Sequence, residues 1–205
     1  LALAMRPSAY CRFVRATAAG ASGGRGPRGC RPLDPETTIV RLDPASVKDS
    51  SSNEGTVHAR GADFYASPRP SPNGRRIAWL SWNHPDMPWD ATQLHTARLL
   101  PSGMTDVVTV AGADQREAVV QPEWSPTGIL HFCTDRSGWW NICRIAESGT
   151  TEPVTAVSDG EMGGPLWDFG ERYFAFLPDG ATVAYLSRGG RDRAGAVEVG
   201  AQGLA

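Results

Sequence analysis

Trp124-Ser125-Pro126-Thr127-Gly128-Ile129-Leu130-His131-Phe132-Cys133-Thr134 is the stretch from which the fold can be read. Proline fixes φ, and a glycine two positions later supplies a backbone free to turn. The run that follows is apolar on both faces, as in a strand packed between layers. The same signal occurs at Pro70-Ser71-Pro72-Asn73-Gly74 and at Phe176-Leu177-Pro178-Asp179-Gly180. Pro72 to Pro126 is 54 residues, and Pro126 to Pro178 is 52. Strand-like runs follow those turns too, at Arg76–Trp82 and Thr182–Leu186. A turn-then-strand unit at fixed period marks a repeat architecture.

The middle unit shows the rest of the pattern. Val119–Trp124 reads as a strand before the turn, and Asp135-Arg136-Ser137-Gly138 as a polar turn after Ile129–Thr134. Trp139–Ile145 reads as the returning strand, Glu147–Thr150 as a second turn and Pro153–Val157 as a third strand. Four short antiparallel strands per unit make a propeller blade. The preceding unit repeats this with Ile77–Trp82, Gln93–Leu99 and Val107–Val110, but its hairpin loop is enlarged to Asn83–Asp90. Two prolines there remove two backbone donors, so the loop is neither helix nor ladder. Thr38–Leu42 reads as one strand of a degenerate earlier blade, and Val197-Glu198-Val199 as the start of a last strand.

The predicted class is therefore all-β, a partial β-propeller of about three to four four-stranded antiparallel blades behind a disordered N-terminal leader. We divide the chain into a low-complexity leader at 1–34 and a propeller fragment at 35–205. The fragment holds a degenerate blade at 35–62, blades at 63–118 and 119–170, and an incomplete blade at 171–205. Propellers have about 4–8 blades. An open arc would leave strand edges unpaired, so self-association is expected of the isolated chain.

Composition sets the outer limits. The 205 residues are 40% hydrophobic and 20% charged, enough for a core and against disorder throughout. The 23 glycines, 16 prolines and 7 tryptophans suit many short strands better than long helices. Apolar runs are only a handful of residues long, so no membrane span is expected. A net charge of −2 argues against nucleic acid as partner. Residues 1–33 carry six arginines and no acid, which leaves −8 for the rest. All basic residues except Lys48 are arginine, a coding bias. The leader is Arg-rich like a transit peptide but shows no strand or helix period, and no apolar run there fits a signal peptide. Four cysteines without a secretion signal point to a reducing compartment and a cytoplasmic location.

Trp82-Asn83-His84-Pro85-Asp86-Met87-Pro88-Trp89-Asp90 resembles the HPxMPWD loop of the prolyl oligopeptidase (S9) family of serine peptidases, with the acylaminoacyl-peptidase and dipeptidyl-aminopeptidase-like branch closest. Thr134–Ile142 resembles that family's blade motif, and Gly163-Gly164-Pro165-Leu166-Trp167-Asp168-Phe169-Gly170 the start of a later blade. The resemblance covers residues 62–195 and does not extend to 1–60. It implies a β-propeller that gates access to a C-terminal α/β-hydrolase domain, which would carry a Ser–Asp–His triad and act on short peptides. On that reading the chain is the non-catalytic cap of a larger peptidase, with the hydrolase domain and short peptides as partners. The other reading is a stand-alone propeller acting as a protein-binding scaffold.

No catalytic residue, cofactor or metal is assigned to this chain. Gly20-Ala21-Ser22-Gly23-Gly24 fits the Gly-x-Ser-x-Gly elbow, but no β-rich run precedes it and it lies before the propeller. His58, His84, His95 and His131 lack zinc spacing, and Cys-x-x-Cys is absent. His95 and His131 sit in strands and are read as satisfied structural residues. Cys133 and Cys143 fall on adjacent strands, as free thiols or in cross-strand contact. Asp135 and Asp179 are read as turn residues bonded to local backbone. Glu117, Glu123, Asp159, Glu161 and Asp168 fall near blade ends without a family match. Trp139-Trp140 reads as blade packing, with a partner surface as the alternative. The candidate functional segment is the proline loop, with His84, Asp86, Met87, Trp89 and Asp90 on a substrate channel or a domain contact.

Overall fold

The computed structural model describes residues 11–16, 36–41, 56–168, 170–187 and 193–198. Every regular element in them is a β-strand. The chain divides into two units, Leu1–Tyr65 and Ala66–Ala205.

The first unit holds β1 (Cys11–Ala16), β2 (Glu36–Arg41) and β3 (Thr56–Ala59) in one antiparallel sheet, in that order. Cys11 lies opposite Arg41, and Ala16 opposite Glu36. Thr38, Ile39 and Val40 of the central strand are buried. The strand β1 lies within residues 1–33, where the sequence shows no strand period. Phe13-Val14 are good strand formers, but two residues flanked by arginines show no period. The rest of the leader, including Ser22 and Cys30, lies outside the described residues.

The second unit is a succession of antiparallel meanders. The first is β4 (Phe64–Pro70), β5 (Arg76–Trp82), β6 (Gln93–Leu100) and β7 (Gly103–Ala111). The second is β8 (Val119–Trp124), β9 (Leu130–Thr134), β10 (Asn141–Ile145) and β11 (Thr151–Pro153). The third is β12 (Phe174–Phe176), β13 (Thr182–Ser187) and β14 (Arg193–Glu198). Burial is nearly complete along β5, β8 and β9 and falls away along β7 and β11. That gradient is expected of blades whose inner strands pack between neighbours while the outer ones face water.

The sheets stack through one core that includes Leu80, Leu94, Val119, Phe132, Ile142 and Val183. The side chains of Trp124 and Gln121 are among those that tie sheet to sheet by hydrogen bonds. Trp124 Nε1 donates to the Arg69 carbonyl at 2.8 Å, and the Arg76 guanidinium lies 5.2 Å from the Trp124 ring. Gln121 stands at a register shift in β8 with φ of 48°. Its amide donates to the Phe174 carbonyl at 2.7 Å and accepts from the Tyr173 and Phe174 backbone. The buried glutamine thus substitutes for a strand neighbour that the blade geometry leaves out.

The three Pro-x-Gly turns have one construction. Gly74, Gly128 and Gly180 have φ of 68°, 88° and 68°, and each amide bonds back three residues, to Ser71, Ser125 and Leu177. The hydroxyls of Ser71 and Ser125 also accept from the N–H of Arg76, which opens β5, and of Ile129, which precedes β9. Elsewhere the boundaries move. β11 ends at Pro153, where the sequence suggests a strand beginning. β14 ends at Glu198 and is already paired with β13 from Arg193. No strand starts within 163–168.

Candidate functional site

Alternating strand direction sorts the connections of the second unit onto two rims. The Pro-x-Gly turns and the β6–β7 and β10–β11 turns share one rim. The β8–β9 and β12–β13 turns meet there, since a Cβ at Gly180 would stand 3.2 Å from the Pro126 ring of the neighbouring sheet. The opposite rim carries the β5–β6 loop (83–92), the β7–β8 turn (112–118), the β9–β10 turn (135–140) and the β11–β12 connection. All five residues of the candidate segment lie on this second rim.

The β5–β6 loop is braced internally. Asp86 N–H donates to the Asn83 carbonyl at 3.0 Å, and Asp90 N–H to the Met87 carbonyl at 2.9 Å. The Asp90 carboxylate accepts from Met87 N–H at 3.0 Å, closing a reciprocal turn. The His84–Pro85 bond is cis, and Pro88 is buried with its carbonyl bonded to the Thr92 hydroxyl. His84, Met87 and Asp90 are exposed, and Asp86 and Trp89 half-buried.

The base of the loop rests on a buried carboxylate. Thr92 N–H donates to the Glu117 carbonyl at 3.1 Å. The Glu117 side chain is 3% exposed, accepts from Gly112 N–H at 2.7 Å, and is bonded by the Thr134 hydroxyl. Arg136 reaches it at 2.9 Å and also pairs with Asp114 at 3.1 Å. The Asp114 carboxyl is held low by its hydrogen bond with the Arg136 guanidinium. Gly112 has φ of 75°, and a Cβ there would overlap the Thr92 carbonyl oxygen at 1.9 Å. No side chain fits at Gly112 without moving the loop base.

Asp135 extends its sequence reading. It bonds Ala118 N–H at 2.7 Å across the sheet as well as its own backbone. Burial raises its carboxyl, and the charges of Glu117 and Glu161 add to the effect. Asp179 does bond locally, to Ala181 N–H at 2.9 Å.

A second segment crosses the rim. Glu161 accepts from Trp140 N–H at 2.7 Å, and Met162 N–H donates to the Trp140 carbonyl at 2.9 Å. Gly163 then passes so close to Trp140 that a Cβ would lie 3.0 Å from its ring. The Tyr173 hydroxyl bonds the Pro165 carbonyl at 3.3 Å. This strap delivers Trp167 to Trp89, with ring centroids 4.4 Å apart and planes tilted 39°. Trp167 is 66% exposed. The proline loop and the Gly163–Asp168 motif, far apart in sequence, therefore meet.

Other candidates are structural. His95 bonds Ser81 at 2.8 Å and Thr109 at 3.0 Å, stacks on Trp79, and is lowered to about 4 by burial. His131 is also lowered to about 4 by burial. Its Nδ1 donates to the Ile129 carbonyl and its Nε2 has no hydrogen-bond partner, so it is only half satisfied. Cys133 lies opposite Ile142, and Cys143 opposite Phe132, which puts the two side chains on opposite faces. Both thiols are free; burial raises Cys133 and pushes Cys143 up to about 11. Trp140 is buried and Trp139 exposed. A groove of about 430 Å³ runs by Trp139, Cys143 and Thr155 and includes none of the proline-loop residues. Among the described residues no group of three or more His, Cys, Asp or Glu could hold a metal ion.

No family model matches the chain, and no curated protein does. Solved structures do. A puromycin hydrolase is 35% identical over 82% of this chain, with a TM-score of 0.70. A mutant puromycin hydrolase complexed with PGG gives 34% and 0.71 over 81%. A puromycin-hydrolyzing peptidase of Mycobacterium tuberculosis gives 34% and 0.68 over 81%. The chain spans about a quarter of the length of these proteins. The likeness supports a propeller-like region of an S9 peptidase. TolB from Acinetobacter baumannii, at 14% identity and TM-score 0.52 over 80% of this chain and 36% of its own, shares the propeller fold.

Proposed function

We propose that the chain is the substrate-gating propeller of a serine peptidase of the prolyl oligopeptidase class, in its acylaminoacyl- and dipeptidyl-aminopeptidase-like branch. Its partner is a C-terminal α/β-hydrolase domain of the same longer protein, and the substrates are short peptides. The observation that carries this reading is the meeting of the proline loop and the Gly163–Asp168 strap at Trp89 and Trp167, on one rim of a sheet stack that matches puromycin hydrolases at 34–35% identity. In this arrangement His84, Asp86, Met87, Trp89 and Asp90 face the path by which peptide reaches the hydrolase domain.

The chain supplies positioning and exclusion, not bond cleavage. Attack on a peptide carbonyl needs an activated nucleophile, a base and oxyanion donors. His95 bonds Ser81, but both are held inside a cross-strand network with Thr109, and the serine is 3% exposed. The 205-residue chain should therefore leave aminoacyl and acylpeptide reporters intact. The longer product should hydrolyse them and lose that activity when a serine downstream of residue 205 is replaced. Hydrolysis by the chain itself, abolished by Ser22→Ala, would overturn the proposal. The scaffold reading gains nothing from TolB, whose likeness extends to fold alone.

A further inference from the structure

We propose that Arg136 is a positioning residue for the proline loop, acting through the buried carboxylate of Glu117. The inference deepens the peptidase reading and rests on it for its catalytic consequence. The loop rejoins its sheet at Thr92, a fully buried residue whose hydroxyl bonds the Pro88 carbonyl and whose N–H donates to the Glu117 carbonyl at 3.1 Å. Gly112 stands against Thr92 with no room for a Cβ, and its N–H donates to Glu117 Oε1 at 2.7 Å. One residue thus holds both sides of the junction, Thr92 by its main chain and Gly112 by its side chain. A turn of that carboxylate moves the seat of the loop.

A buried carboxylate needs hydrogen bonds and a compensating charge. The hydrogen bonds come from Gly112 N–H and the Thr134 hydroxyl. The charge comes from Arg136, whose Nη1 lies 2.9 Å from Glu117 Oε1. The same guanidinium reaches Asp114 through Nη1 at 3.3 Å and Nη2 at 3.1 Å, a planar fork between two acids of the β7–β8 turn. Its backbone N–H donates to the Thr134 hydroxyl at 3.2 Å, which fixes the root of the side chain. The other titratable groups that feel the charge of Glu117 are Asp135 of the β9–β10 turn and Cys143 of β10, and neither brings a positive charge. Without Arg136 the ionised carboxylate is left buried and unpaired, whereas its neutral form is tolerated there. The loop seat should then hold at acid pH, where the carboxyl carries a proton, and loosen as the pH rises and the charge appears.

The test has two arms. The first follows hydrogen-exchange protection of the Thr92 and Gly112 amides in the 205-residue chain. Arg136→Ala should lower it about tenfold at about pH 8 and less at about pH 5. Arg136→Lys keeps the charge and should restore protection at both pH values. Arg136→Ala combined with Glu117→Gln lacks both charges and should also be protected at both, which decides the matter even where Arg136→Ala alone unfolds. Arg98→Ala, from an exposed pair on the opposite rim, should change nothing. Full protection in Arg136→Ala, or a loss equal at both pH values, refutes the relay, as does a double variant no better protected than the single one. The second arm uses the longer product and peptide amide reporters. Arg136→Ala should raise KM about three- to tenfold at about pH 8 with little change in kcat, because the loop touches no reacting atom. An unchanged KM in an active enzyme overturns the role of Arg136 in the peptidase, whatever the first arm shows. A product inactive on every peptide overturns the peptidase reading, while the first arm still decides whether Arg136 positions the loop.

Discussion

Replacing Glu117 by alanine removes the carboxylate on which the proline loop stands. Two buried groups lose their partner, the Gly112 N–H and the Thr134 hydroxyl. An orphaned buried polar group costs about 1–3 kcal/mol. The Thr134 hydroxyl can turn, because it already accepts from Arg136 N–H at 3.2 Å, so its share lies at the low end. The Gly112 N–H has no such freedom, since its backbone is wedged against Thr92. The expected loss is about 3 kcal/mol, a large part of the 5–15 kcal/mol that holds a typical domain. With an m-value of about 1–3 kcal/mol/M, the urea midpoint should fall by about 1–3 M. Tryptophan fluorescence is the natural probe. Asp114→Asn is the control: its carboxylate lies on the exposed side of Arg136 and the midpoint should stay put. A double cycle with Thr134→Val should show coupling. If Glu117→Ala unfolds no earlier than Asp114→Asn, the carboxylate does not anchor the rim.

Three further expectations follow from other parts of the second unit. His95 and His131 are held near 4 in the fold against an ordinary 6.5, so the unfolded chain takes up protons first as pH falls. Stability should be whole above about pH 6.5 and lower by about 2 kcal/mol per ring at pH 5; urea midpoints across that range should slope less in His131→Phe. Cys133 and Cys143, raised by burial, should resist iodoacetamide in the folded chain at pH 8 and react in urea, as read by peptide mass mapping. Trp124→Phe keeps an aromatic ring but drops the bond to Arg69, so it should cost about 1 kcal/mol and leave secondary structure by circular dichroism unchanged.

The repeat was legible because its signals are local. A proline and a glycine two apart admit few backbone paths, and the apolar runs after Gly74, Gly128 and Gly180 admit only buried strands. β4 and β12 gave no such signal. Phe64–Pro70 contains two prolines and Ser67 at φ of 50°, which reads as loop until β5 pairs with it. β12 is three residues long and is held by Gln121 from another sheet. The proline loop could be picked out from its own residues. Its support could not, because Glu117, Asp135 and the strap act across distances that spacing does not encode. The same holds for the Trp89–Trp167 contact, where each half looked like a separate motif.

The two rims differ in how much length they absorb. One is built from short turns, three of them sharing the same backbone bond, while the other carries every long excursion of the second unit. A strand meander tolerates this arrangement because added residues on the variable side never alter the spacing of the sheets. Grafted peptides, reporter groups or altered recognition loops therefore belong at 83–92 or 154–168, where the architecture already accommodates irregular length, and the opposite edge should be left untouched as the fixed gauge of the stack.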